Sequence, residues 1–152
     1  MTAARRRSRA RWWLVALALL PLLWLGGDFV YSRIMAHRLA RWEGATRRDA
    51  DGVREGCRAY DAGDGESALL LVHGFNDCPA VFDALVPRLV RRGFRCRVMR
   101  LPGFAMPAGV YARTDRAAWR AALEGEIASL RAEHRRVGLV AHSLGGAIAV
   151  DY

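Results

Sequence analysis

Two kinds of hydrophobic pattern follow each other along the chain. From Trp12 to Gly27 the run WWLVALALLPLLWLGG is uncharged and mostly apolar, with no polar stripe. At about 1.5 Å rise per residue it reaches roughly 24 Å, short of a hydrocarbon core of about 30 Å. Passing Asp28 to include Phe29, Val30 and Tyr31 closes that gap. Trp12, Trp13 and Tyr31 then lie near the two interfaces, where amphipathic rings are favoured. The pattern predicts a transmembrane signal anchor over 12–31, after a basic segment at 1–11. A cleaved secretory signal has the same start, but Leu25-Gly26-Gly27-Asp28 is a poor small-x-small cleavage site. A buried helix is the third reading of the run. Residues 32–52 read as a juxtamembrane helix or linker, with Ile34, Met35, Leu39 and Trp42 near helical spacing and Gly44 as a stop.

From residue 53 short apolar runs alternate with helical patterns, in one unit over 53–152. Val53 to Tyr60 predicts a strand, followed by a turn at Asp61-Ala62-Gly63-Asp64-Gly65. Ala68 to Val72 is a continuous apolar run ending in His73-Gly74, as in a strand buried on both faces. Val81, Phe82, Leu85, Val86, Leu89 and Val90 share one helical stripe, with Pro79 in its first turn, Pro87 as an internal kink and Gly93 at its end. Phe94 to Leu101 predicts the next strand. Thr114 or Asp115 then caps a helix carrying Trp119, Leu123, Ile127 and Leu130. Val137 to Ala141 is a further strand, and a helix begins at Leu144. The alternation predicts an α/β unit: a mostly parallel sheet with flanking helices, and chemistry at the carboxyl ends of its strands.

Charge changes the picture in one respect. The formal net charge of +9 invites a nucleic-acid reading, but residues 1–50 carry 10 Arg against 3 acids and residues 51–152 carry 14 against 12. The excess flanks the apolar run, so no nucleic-acid partner is expected. Arg5, Arg6, Arg7, Arg9 and Arg11 precede the run without an acid and favour a cytoplasmic N-terminus, with the domain on the extracytoplasmic (periplasmic) side. Arg33, Arg38, Arg41, Arg47 and Arg48 beyond it reduce that asymmetry, and secretion after cleavage is the alternative. The apolar fraction of 53% excludes a disordered chain. Cys57, Cys78 and Cys96 have no metal-ligand spacing and read as buried thiols, with a Cys57–Cys96 disulfide open in an oxidising compartment.

The chemistry centres on Ala141-His142-Ser143-Leu144-Gly145-Gly146, which directly follows one strand and opens one helix. A strand-to-helix turn this sharp lifts the serine hydroxyl above the sheet edge, and small residues two before and two after it avoid side-chain collision. Gly145 fills the second place and Ala141 the first. The amino end of the helix faces the site, which favours developing negative charge. Acyl transfer also needs two N–H donors where the oxyanion forms. The amide of Leu144 is one candidate. The amide of Phe75, after the strand-ending His73-Gly74, is the other.

Together these pieces resemble the α/β-hydrolase superfamily, near its monoacylglycerol-lipase-like and carboxylesterase-like members. The resemblance rests on LLLVHGF at 69–75, Pro-Gly at 102–103 and AHSLGG at 141–146, with 70 residues from His73 to Ser143. Many relatives continue Pro-Gly with His-Gly, where this chain has Phe104-Ala105. The resemblance implies a Ser143 nucleophile acting on a small-molecule ester or lipid-like acyl substrate, activated by a histidine that an acid orients, with no cofactor or metal. In the family both partners follow the serine, whereas only nine residues follow Ser143 here. Asp151 lies too close on the following helix. His142 should point elsewhere, His73 should be structural, His134 belongs to the far edge of the sheet, and His37 lies near the membrane. With four strands at most, the expectation is a truncated α/β-hydrolase fold behind a transmembrane helix, an amino-terminal fragment inactive as it stands. A non-catalytic membrane-tethered binding module of the same fold is the alternative. Oligomeric state is not legible.

Overall fold

The computed structural model describes residues 3–152, with the side chains of residues 3–11 and 14 outside the description. The side chains of the arginine cluster at 5–11 therefore lie outside the description. The chain forms two compact units, Met1–Thr46 and Arg47–Tyr152. The first is helix α1, Ala3–Ala45, which continues through Gly44 and contains Pro21. Its described apolar side chains, among them Trp12, Leu17, Leu22, Trp24 and Phe29, are exposed. Val15–Ala45 is long enough, and an 18-residue window within it apolar enough (mean hydropathy 1.6), to cross a membrane. A helix with this much unburied apolar surface fits a membrane anchor or a signal sequence.

The second unit is built on four strands: β1 (Tyr60–Ala62), β2 (Ser67–Val72), β3 (Phe94–Met99) and β4 (Arg136–Ala141). Their order is β1-β3-β2-β4, with β1 antiparallel to β3 and the other pairs parallel. Central β2 has partners on both sides and faces protein on both faces. Ala68, Leu70 and Val72 point to one core with Leu101, Leu123, Ile127, Leu130 and Ile148. Leu71 points the other way, toward Phe82, Val86, Cys96 and Val98. That two-residue alternation explains why β2 reads as an unbroken apolar run. Helices α2 (Val86–Val90), α3 (Ala108–Tyr111), α4 (Arg116–Glu133) and α5 (Leu144–Val150) complete the unit. Asp115, not Thr114, caps α4, its carboxylate accepting from the Ala118 N–H at 2.9 Å.

Three local expectations are corrected. Residues 53–59 are not a strand: Asp49 accepts from the Asp51 and Val53 amides, and Gly52 and Gly56 take positive φ, so the chain turns repeatedly before β1. The helix from Pro79 is broken into a 3-10 turn, Pro79–Phe82, and α2. Pro87 offers no N–H and its ring would clash with the carbonyl four residues back, so it starts a helix and does not kink one. Cys57 is bonded to Cys78, while Cys96 is a free thiol buried in β3, so Cys57–Cys96 is excluded.

Leu70 is fully buried at the centre of the sheet. Leu70→Ala is expected to destabilise the second unit by about 2–5 kcal/mol, read as a lower urea midpoint in an unfolding titration.

Candidate active site at the carboxyl ends of the strands

Ser143 stands between β4 and α5 with φ 52° and ψ −124°, a left-handed conformation that costs a non-glycine residue about 1–3 kcal/mol. Tight packing on either side enforces it. A Cβ on Gly145 would lie 2.6 Å from the carbonyl oxygens of both Val72 and His73, so α5 seats directly on the end of β2. A Cβ on Gly74 would lie 3.0 Å from the Ser143 Cβ and 2.9 Å from the His142 ring. The turn after β2 and the turn after β4 therefore touch, at Gly74 and Ser143. The N–H groups of Phe75 and Leu144 donate to no described residue. Gly146 is less constrained, with 3.9 Å between its would-be Cβ and the Ala141 carbonyl. Ala141 pairs with Val72 as the last residue of β4.

His73 is fully buried under this turn. Its Nε2 accepts from the Leu101 N–H at 3.1 Å, so the proton sits on Nδ1, which donates to the Gly74 carbonyl at 2.9 Å. One neutral ring thus joins the ends of β2 and β3 and leaves no nitrogen for the site. Burial depresses its pKa below the ordinary 6.5, since the charged form loses water it cannot replace.

Sequence reasoning did not anticipate the apolar wall. The half-exposed Phe75 ring meets Phe104 and Tyr111 edge-on, at 6.2 and 6.3 Å between centroids. Phe104 itself packs against His73 at 5.1 Å and against Trp119. Trp119 Nε1 donates to the Pro102 carbonyl at 3.0 Å and so pins the Pro102-Gly103 turn. The one available signal was Phe104 standing where relatives carry histidine. Asp77 was also missed: its Oδ2 lies 3.7 Å from His142 Nε2, and the His142 ring edges onto Phe82.

Residues 69–152 match the model of the alpha/beta hydrolase family. The chain belongs to that family. A solved structure reported with LipS and LipT, two metagenome-derived lipolytic enzymes, is similar, with a TM-score of 0.61 and 22% identity over 64% of this chain. At that identity the likeness concerns the fold. The match spans 40% of the length of that structure's chain. No curated protein sequence matches.

Alpha/beta hydrolases carry a histidine base, and none of the four histidines here hydrogen-bonds Ser143 among the described residues. His73 is committed to the backbone and His142 turns to Asp77. His134 lies 3.3 Å from the Glu66 carbonyl, at the amino end of the sheet, and His37 is in α1. Asp151 pairs with Arg116 and Arg120 on α4, and the Arg116 bond holds its carboxyl below the usual range. A cavity of about 690 Å³ is lined by Ser67, Phe94 and Arg136, the first residues of β2, β3 and β4, so it lies at the wrong end of the sheet for this chemistry.

Because folding depresses the His73 pKa, its contribution is fully present above about 6.5 and is lost as pH falls, when the unfolded chain binds a proton that the folded chain excludes. The thermal midpoint is expected to drop between pH 7.5 and 5. His73→Leu should remove that component and cost about 1–3 kcal/mol, because the Leu101 N–H loses its acceptor. A pH profile unchanged by the substitution contradicts the assignment.

Proposed function

We propose that the protein is a membrane-anchored serine hydrolase that cleaves carboxylic esters or lipid-like acyl groups. The observation that carries the reading is the left-handed turn at Ser143 packed against Gly74, beside two undonated amides. In this reading Ser143 Oγ attacks the substrate carbonyl carbon while the Phe75 and Leu144 N–H groups receive the oxyanion. Collapse of the tetrahedral intermediate releases the alcohol and leaves an acyl-serine, which water hydrolyses. Every role falls to a protein group, so no cofactor or metal is called for. The base and its orienting acid come from outside residues 3–152, and the 152-residue chain alone does not turn over. Phe75, Phe104 and Tyr111 form the apolar wall beside the reacting carbon, which suits an acyl chain.

Helix α1 supplies the anchor, uncleaved, with the N-terminus cytoplasmic and the catalytic unit on the periplasmic side; secretion after cleavage is the competing topology. A second reading, a tethered non-catalytic binding module, is favoured by the exposed Leu139 on β4, Val150 at the end of α5 and nearby Tyr152. A fluorophosphonate probe separates the two. With the full-length protein, labelling should require Ser143, and Ser143→Ala should lower ester turnover by at least about 10³-fold. Equal labelling of wild type and Ser143→Ala sinks the enzyme reading and leaves the binding module.

A further inference from the structure

Residues 47–58 add nothing to the sheet, yet they are held at many points. The Asp49 carboxylate accepts from the Asp51 and Val53 amides at 3.0 and 2.9 Å, and Arg48 bridges Arg54 in antiparallel fashion. Arg58 pairs with both Asp49 and Asp51. From this strap, bonds run to two loops. The Ala105 carbonyl accepts from the Arg54 N–H at 2.8 Å and from Arg48 Nη1 at 2.9 Å. Cys57 is joined to Cys78 through a disulfide. Val53, Cys57 and Cys78 are buried together, with Ala80, Ala105 and Met106 packed around them, in a small cluster of their own.

Both loops adjoin Phe75, one through a ring contact and one along the chain. Ala105 follows Phe104, the ring under Phe75. Cys78 lies three residues beyond Phe75, across the exposed Asn76, which has φ 58°. The intervening turn makes little of its own support. It has one long backbone bond, Asp77 N–H to the Gly74 carbonyl at 3.4 Å, and the 3.7 Å approach of Asp77 to His142. The cross-link at Cys78 is its covalent restraint.

We propose that Cys57 and Cys78 are positioning residues whose disulfide holds the Phe75 amide where the oxyanion forms, so that turnover depends on an oxidising compartment. The inference rests on the Ser143 hydrolase reading. Oxyanion stabilisation is geometric, and donors displaced by about 1 Å lose much of their effect. A cytosolic domain would keep this pair reduced, whereas an extracytoplasmic one keeps it closed. Cys96 does not compete for either sulfur, since it is buried in β3 and burial raises its thiol pKa.

The test uses the full-length protein taken from membranes and alkylated without reductant. Peptide mapping should recover the Cys57 and Cys78 peptides linked. Adding a dithiol delivers two electrons and two protons, opening the bond to two thiols while the dithiol closes to its own disulfide. Reduction should lower kcat for a soluble ester about tenfold, less than the 10²–10³ of losing an oxyanion donor outright, with KM changed by less than about twofold. Amide exchange at 75–77 should accelerate in parallel. Cys57→Ser with Cys78→Ser should show the lowered kcat without a response to reductant, and Cys96→Ser should respond like wild type. Free thiols at both positions in the isolated protein overturn the inference. So does a reduced enzyme that melts earlier but keeps its kcat and its exchange rates at 75–77. If no turnover depends on Ser143, the hydrolase reading fails, and unchanged exchange at 75–77 on reduction then overturns the positioning claim by itself.

Discussion

The first turn of α5 lies against the carbonyls that end β2, with no room for a side chain between them. A methyl group on Gly145 would sit 2.6 Å from two oxygens at once. From this contact the rest of the site follows. β4 must turn sharply after Ala141, Ser143 must take a positive φ, and the turn carrying Gly74 comes within reach of the serine Cβ. The cost of the strained serine is about 1–3 kcal/mol. It is offset by burial of side chains such as Leu70, Leu71 and Ile148, each worth about 1.5–3 kcal/mol. The strain persists because the sheet and helix around it are already determined.

A second tier of contacts fixes the turn after β2. The neutral His73 ring ties the Gly74 carbonyl to the Leu101 amide. Phe104 fills the space between that ring and Phe75, and Trp119 on α4 holds the Pro102-Gly103 turn from below. These ties join the end of β2 to the end of β3, and the loop after β3 to α4. The strap at 47–58 adds a third tier from outside, through Ala105 and Cys78.

What the sequence made legible is what arises from local periodicity and close backbone approach. β2 announced itself as an apolar run because protein covers both of its faces, whereas β3 carries Arg95 and Arg97 and the edge strand β4 leaves Leu139 exposed. Thr114 or Asp115 read as the cap of α4, and the small residues around Ser143 read as a turn with no room. Features made by contacts distant in sequence were not legible. Residues 53–59 have strand-like composition, but Asp49 and Gly52 bend them, and the Ala105 carbonyl that holds them lies some fifty residues away. The partner of Cys57 depends on where two loops meet, which no spacing rule states. Pro87 read as a kink because the stripe runs through it, although the helix had already ended at Phe82. The apolar wall of Phe75, Phe104 and Tyr111 needed the β3 loop folded over the β2 turn before it existed.

The proposed oxyanion site comes down to one oxygen atom and two amides. A crystal structure of the full-length protein carrying a phosphonate on Ser143 measures it directly. The phosphoryl oxygen is expected within hydrogen-bonding distance of both the Phe75 and the Leu144 nitrogens. A phosphonate whose oxygen points to solvent, or is held by other groups, contradicts it.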